Sequence, residues 1–365
     1  MNICIIGDGL TGLSLAKNLI NKKINVHFYH KNKIKNLSSS RTIGISKNNF
    51  EFFRKEIHKV PEKFFWEINE IEIYSEKLEK ENLLRFEKDK VNLFYMVKNN
   101  DLCKLLINEI SKNKFFRKNL IKKNSFYEDL LKKNKYDLII NCDSSNLLSK
   151  KFFTKNFYKD YDSQAYTTVL KHKKIENNIA TQIFTKNGPI AFLPISNSET
   201  SVVCSLDIKN KKYNDSDILD LIKKNNPKYE IQKILKLSSF KLSSSNLRDY
   251  YHKNILAFGD ILHRIHPLAG QGFNMTIRDI KILSEIIDDK INLGMQIDSS
   301  IFVDFEKQTK SKNFLFSNSI DFIYEAFNFD TKIRTKSFNK IIKVIGKSKS
   351  ITSYLIKFAD KGLNF

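Results

Sequence analysis

The chain has 365 residues, 41% of them hydrophobic and 12% aromatic, which supplies a large core and more than one simple domain. No apolar run approaches the roughly 18 residues needed to cross a bilayer, and the first expected strand starts so close to Met1 that it leaves no room for a signal or transit peptide. The formal charge of +23 would suit nucleic acid, but only eight of the 63 basic residues are Arg and no RNA or DNA module signature is present, so the excess reads as compositional drift.

Residues 3–6 form a short apolar run that predicts a buried strand, and Gly7-Asp8-Gly9-Leu10-Thr11-Gly12 follows it directly. Leu13, Ala16, Leu19 and Ile20 then fall on one face of a helix, and residues 24–29 predict a second strand. In this strand–turn–helix setting Gly7 permits a tight turn, Gly9 lets backbone approach a pyrophosphate, and Gly12 allows close helix–strand packing. The helix N-terminus adds free N–H donors and partial positive charge, so the pattern points to a dinucleotide. The acidic residue that would bind a ribose at the end of the second strand is replaced by His30. His30 with Lys31 and Lys33 suits a 2′-phosphate instead, which keeps an NADP reading open at this point.

Residues 101–111 predict a helix with Asp101 as N-cap and Leu102, Leu105, Leu106 and Ile110 buried, and 136–141 predict a strand. Between about 160 and 245 the texture turns to β, with strands expected at 164–170, 191–194 and 201–206. Residues 255–258 return to a buried strand, and Ile277, Ile280, Leu283 and Ile287 mark a helix after the loop that follows. From 301 the pattern is helical to the end. The four cysteines (Cys4, Cys103, Cys142, Cys204) stand singly, which reads as reduced, buried thiols, and no cluster has metal-ligand spacing.

That loop, 259–274, is the most specific segment of the chain: Gly259-Asp260-Ile261-Leu262-His263-Arg264-Ile265-His266-Pro267-Leu268-Ala269-Gly270-Gln271-Gly272-Phe273-Asn274. Asp260 offers an acceptor for ribityl hydroxyls, and Gly270 to Gly272 place uncrowded N–H groups at a helix N-terminus. The segment resembles the G-D-x-x-H-x-x-x-P-x-x-G-Q-G motif of the aromatic-ring hydroxylase flavoproteins, and its His-Pro-x-Ala-Gly-Gln-Gly-Phe-Asn wording is most similar to the ubiquinone-biosynthesis hydroxylases. Residues 40–46 resemble the family segment whose Arg approaches the flavin, here Arg41. Residues 188–194 resemble its strand beside the substrate cavity, and Phe305-Glu306 with Ser319-Ile320-Asp321 and Phe327 resemble its helical tail. The family's D-G motif appears as Cys142-Asp143-Ser144-Ser145-Asn146-Leu147, which keeps Asp143 but replaces Gly by Ser144, a strained substitution wherever φ must be positive.

The resemblance implies an α/β fold: a Rossmann-like FAD-binding domain interleaved with a β-sheet substrate domain, plus C-terminal helices. The expected limits are 1–75 and 76–160 for the first two parts of the FAD domain and 161–248 for the substrate domain. Residues 249–295 complete the FAD domain, and 296–365 form the helical tail. FAD would be held by Gly7, Gly9, Gly12, Arg41, Asp143, Gly259, Asp260, Gly270, Gln271, Gly272 and Asn274, with His266 and Pro267 beside the reacting ring. The implied reaction is hydroxylation of a polyprenylated phenol by O₂ through a flavin C4a-hydroperoxide. Electrons would come from NAD(P)H or a reductase, other ubiquinone-biosynthesis proteins would be neighbours, and the protein would sit in the cytoplasm on the inner face of the membrane. The same chemistry on a soluble phenol, or a non-catalytic flavoprotein scaffold, are the alternatives.

Residues 331–365 carry nine Lys or Arg against one acid, and within them Phe338, Ile341, Ile342, Ile345 and Ile351, Tyr354, Leu355, Phe358 follow helical spacing. Two readings fit this tail: basic amphipathic helices lying on anionic lipid, or helices packed on their own domain with a lysine-rich outer face.

Overall fold

The structure, a computed structural model, describes residues 1–31, 41–76, 82–87, 92–132, 135–209, 211–267, 270–333 and 348–363. Three sheets organise it. The first has six strands in the order Tyr251–His252, Ile255–Ala257, Leu138–Asn141, Asn2–Ile6, Asn25–His30 and Phe116–Leu120. All of its pairings except that of the first two strands are parallel. The central strand Asn2–Ile6 is apolar on both faces because helices cover both, and Ile3, Cys4 and Ile5 are fully buried. Helix Leu10–Asn21 packs Leu13, Ala16 and Leu19 into the same core.

The second sheet has nine strands. Eight run in the order His263–Arg264, Ser238–Leu247, Asn156–His172, Glu199–Asp207, Gly188–Pro194, Ile179–Thr185, Glu70–Ser75 and Asn82–Glu87, and Ile231–Ile234 adds to Asn156–His172. The strand expected at 164–170 is the inner part of this 17-residue strand, whose register shifts between Asp160 and Ser163. Glu70–Ser75 pairs in parallel with Ile179–Thr185, so a segment between the first two blocks of the smaller sheet's strands is lent to the larger one. A third, three-stranded sheet of Thr42–Ser46, Phe94–Lys98 and Trp66–Ile68 lies between them in sequence. Helix Asn99–Ile110 begins without a break from Phe94–Lys98, so Lys98 holds the N-cap position and Asp101 falls in the first turn instead of capping it.

Among the described residues, the chain closes with the helices Gln271–Asn292, Ser300–Ile333 and Lys349–Lys361. Phe302 and Phe305 of the second bury against the six-stranded core. Phe338, Ile341, Ile342 and Ile345, the first apolar stripe of the tail, lie outside the described residues, as does the side chain of Phe327. No described helix is long and apolar enough to cross a membrane.

Candidate functional site

The glycine turn sits at the C-terminal end of the central strand Asn2–Ile6, where open α/β sheets bind ligands. Gly7 has φ of +118°, a conformation L side chains avoid, and its N–H donates to the Tyr29 carbonyl at 2.9 Å. A Cβ on Gly12 would come within 2.2 Å of the Gly7 carbonyl oxygen, while one on Gly9 would meet nothing within 4 Å. Gly12 is therefore glycine for packing, and Gly9 leaves space for something else. Gly9 is also the N-cap of helix Leu10–Asn21, and no side chain caps that helix, so its first N–H groups face the space beside Gly9.

A second uncapped helix N-terminus faces the same cavity. Gly270, with φ of +63°, is the N-cap of Gln271–Asn292, again without a side-chain cap. A Cβ on Gly272 would meet nothing within 4 Å. Gly259 (φ +66°) is held against Thr11, where a Cβ would approach the side chain to 2.7 Å, and this joins the two glycine turns. Asp260, next in the chain, is exposed into the cavity. Asn274, expected to bind cofactor, is a correction. It is fully buried and absent from the cavity lining, because all its hydrogen bonds are spent on protein. Its Nδ2 donates to the carbonyls of Gly44 (2.9 Å) and Gly270 (3.2 Å), and its Oδ1 accepts from Ser46 N–H (2.9 Å) and Asn49 Nδ2 (3.0 Å). It positions the Gly270 turn.

Arg41 and Asp143 both line the cavity. Asp143 accepts from the Ser145 N–H (2.8 Å) and hydroxyl (2.7 Å) and pairs with Lys31 at 3.2 Å. Burial pushes its pKa up, but the Ser145 hydrogen bonds and the Lys31 ammonium outweigh it and hold the carboxylate below its usual range. Lys31 is thus engaged at the tip of the second strand, His30 is buried, and Lys33 lies outside the described residues. Among the described residues, none makes the phosphate pocket that an NADP reading needs. The strain expected at Ser144 is also absent: the described non-glycine residues with positive φ are Lys23, Asp162 and Lys253. The loop is instead closed by Asn146, which caps helix Leu147–Phe152 through Ser149 N–H (2.9 Å) and exchanges hydrogen bonds with buried Asn141 (2.7 and 3.3 Å).

The glycine turns form one end of a cavity of about 1240 Å³ whose remainder is lined by Ile71, Phe86, Phe184, Leu193, Val203 and Phe240 from the nine-stranded sheet, among others. Pro189 and Ala191, in the strand Gly188–Pro194, belong to this wall, as do Gln271, Pro267, His263 and His266. The Pro267 carbonyl accepts from Gly270 N–H at 3.3 Å. His263 Nε2 meets Asp279 Oδ2 at 2.5 Å, both residues buried, and Asn313 Nδ2 donates to the other Asp279 oxygen at 2.9 Å. His266 is stacked on Tyr324 (ring centroids 3.9 Å, 25°) and edge-on to Tyr161 (5.1 Å, 85°). Both its ring nitrogens are shut away from solvent and have no hydrogen-bond partner among the described residues. Burial lowers its pKa to about 3, with help from Lys159. The imidazole is neutral at physiological pH and its geometry is that of a wall element, not of a group handing on a proton.

Sequence reasoning missed the aromatic cage around His266: Tyr161 hydrogen-bonds Asp321, which also accepts from Ser244 at 3.1 Å. It also missed that the second apolar stripe of the tail reaches the site: Ile351, Leu355 and Phe358 line the cavity, and Phe358 stacks on Phe316 at 4.8 Å. All four cysteines are free, and no group of metal-ligating side chains occurs among the described residues.

The glycine cradle, the two uncapped N-termini and Asp260 fit a dinucleotide cofactor, and comparison with known proteins agrees. Residues 149–292 match the family model of an FAD binding domain. The chain is 22% identical to the mitochondrial ubiquinone biosynthesis monooxygenase COQ6 of Dictyostelium discoideum, over 89% of this chain and 84% of that protein. It is 27% identical to the 3-demethoxyubiquinol 3-hydroxylase of Escherichia coli over 40% of this chain and 39% of that one. Klebsiella pneumoniae HpxO, solved with FAD and uric acid, superposes with a TM-score of 0.75 at 12% identity, covering 100% of this chain and 97% of that one.

Proposed function

We propose that the chain, which matches an FAD binding domain over residues 149–292 and resembles ubiquinone-biosynthesis monooxygenases, is an FAD-dependent monooxygenase that hydroxylates the ring of a polyprenylated phenol in ubiquinone biosynthesis. The observation that carries this reading is one continuous cavity with a glycine-rich, donor-lined end and an apolar end. The first suits a pyrophosphate and a flavin ring, the second a phenol with a hydrocarbon chain. Relatives at 22% and 27% identity named for ubiquinone chemistry support the substrate class.

Bound FAD would supply O₂ activation, drawing electrons from NAD(P)H or a reductase. The protein's own residues have binding work to do. The N–H groups of helix Leu10–Asn21 and the space at Gly9 receive the pyrophosphate, with Arg41 and Asp143 at the same end. Asp260 accepts ribityl hydroxyls, and Gly270, Gln271 and Gly272 bring N–H groups to the isoalloxazine at the start of the second helix. Gly259 holds the two turns together against Thr11. Pro267 and the neutral His266 form wall beside the ring, and the apolar strands exclude water from it.

The mouth of the cavity supports a membrane-facing reading. Phe322 lines it and is 75% exposed, Phe240 lines it too, and Tyr354 stands 53% exposed on the nearby tail helix. An apolar rim in a chain of charge +23 suits the surface of an anionic bilayer, from which a polyprenylated substrate would enter. The reading is tested by purifying the protein, recording its visible spectrum and supplying a prenylated phenol with a reductant. Oxidised-flavin absorption and a hydroxylated product are expected. A flavin-loaded protein that consumes reductant without product would leave only a scaffold, and turnover of unprenylated phenols alone would move the substrate to a soluble one.

A further inference from the structure

The C-terminal helix Lys349–Lys361 is not an appendage. Ile351, Leu355, Phe358 and Ala359 follow the i, i+4, i+7, i+8 spacing of one helix face, and all four line the cavity. Phe358 joins the apolar cluster of Leu84, Phe184 and Ile320, and Ile356 joins the separate cluster of Ile68, Leu93 and Met96, so the helix spans two walls. An apolar face turned toward a cavity gains nothing from burial until an apolar group fills the space.

The helix is registered to the glycine end by hydrogen bonds. The Asp360 carbonyl accepts from Ser46 Oγ (3.1 Å), and its carboxylate accepts from Asn48 N–H (2.8 Å). Ser46 Oγ also accepts from Asn49 Nδ2 (3.0 Å), and Ser46 N–H and Asn49 both donate to Asn274, which holds the Gly270 carbonyl. Gly362, at φ of +69°, lies against the Arg278 guanidinium, where a Cβ would come within 3.1 Å. Asp360 thus fixes one end of the helix relative to the Gly270 turn, while Ile351 and Tyr354 toward the other end are about half exposed.

We propose that this helix is the specificity wall of the site: its Ile351–Leu355–Phe358–Ala359 face contacts the hydrocarbon part of the substrate, and Asp360 sets the distance of that face from the Gly270 turn. The proposal rests on the substrate reading above and deepens it. A phenol without a chain would make no contact with this face, so the helix discriminates by chain and not by ring.

The test uses the full chain and calorimetric titration with geranylphenol and with phenol, which reads binding whether or not flavin is present. Leu355→Trp fills the space and should weaken geranylphenol about tenfold or more while leaving phenol unchanged. Leu355→Ala, which keeps the helix and removes contact, should weaken geranylphenol several-fold, and serves if the larger side chain disturbs folding. Asp360→Ala should weaken geranylphenol in the same selective way. Equal losses for both ligands, or no loss for either in the two Leu355 variants, would overturn the proposal. Selective loss in a protein that takes up no FAD would sustain it and sink the hydroxylase reading instead.

Discussion

The carbonyl oxygen of Gly7 lies 2.2 Å from where a Cβ of residue 12 would sit, whereas a Cβ on Gly9, between them, would meet nothing within 4 Å beyond its own chain neighbours. Two glycines of one motif therefore do different jobs, and substitution should separate them. Gly12→Ala forces strand and helix apart and should cost about 2 kcal/mol of stability in the apoprotein. Gly9→Ala should cost about 1 kcal/mol or less in the apoprotein yet lose FAD, because the methyl enters space kept for the pyrophosphate. Thermal unfolding with and without added FAD checks both; equal FAD retention in Gly9→Ala and parent would contradict the cradle.

Asp260 is exposed to the cavity, while Asp143 is tied to Ser145 and Lys31. Asp260→Ala should weaken FAD by roughly 2–3 kcal/mol, the value of a charge-assisted hydrogen bond, with the apoprotein melting as before. Asp143→Ala should lower the melting temperature as well, since it releases the Lys31 contact. Flavin titration alongside calorimetric unfolding distinguishes them, and identical profiles for the two variants would refute the division.

Ser144 does not occupy a positive-φ position. Ser144→Gly should therefore fail to tighten FAD and should destabilise the fold by about 1 kcal/mol or less, through added freedom in the unfolded chain. Asn146→Ala, which removes the cap of helix Leu147–Phe152, should cost about 1 kcal/mol. A gain in flavin affinity from Ser144→Gly would show that the loop is strained after all.

His266 titrates near 3 when folded against an ordinary value of 6.5. The unfolded chain therefore binds the extra proton first, so stability is flat above pH 6.5, falls as pH drops below it, and stops changing on this account near pH 3. At pH 5 the loss should be about 2 kcal/mol. His266→Phe should flatten the part of the stability profile between pH 5 and 6.5, where carboxylates contribute little. A profile of the same slope in the variant would mean that the imidazole is not the buried neutral group described.

Much of the site could be read from sequence because its glycines are fixed by backbone geometry: Gly7, Gly12, Gly259 and Gly270 each meet a local steric or φ requirement. The central strands were legible as short apolar runs for a similar reason, being buried on both faces. Phe116–Leu120 was not, because an edge strand reading Phe-Arg-Lys-Asn-Leu has no apolar alternation and is defined by pairing with Asn25–His30. Glu70–Ser75 joins the larger sheet through a pairing more than 100 residues away in sequence, which no local pattern reports, and Asn82–Glu87 follows by pairing with Glu70–Ser75. Asn274 was read as a ligand because it closes the motif, and only the structure reveals that its four hydrogen bonds are taken by protein. The tail's apolar stripe was visible as a stripe, but whether it faced lipid, core or cavity depended on the anchoring of Asp360 by Ser46 and Asn48, which lie far from it in the chain.

The measurement that tests the central claim most directly is a single turnover of the FAD-loaded, reduced protein with geranylphenol under isotopically labelled O₂, read by mass spectrometry. The account predicts a ring-hydroxylated product carrying one labelled oxygen atom. Reoxidation that yields only hydrogen peroxide, with the phenol recovered unchanged, would contradict it.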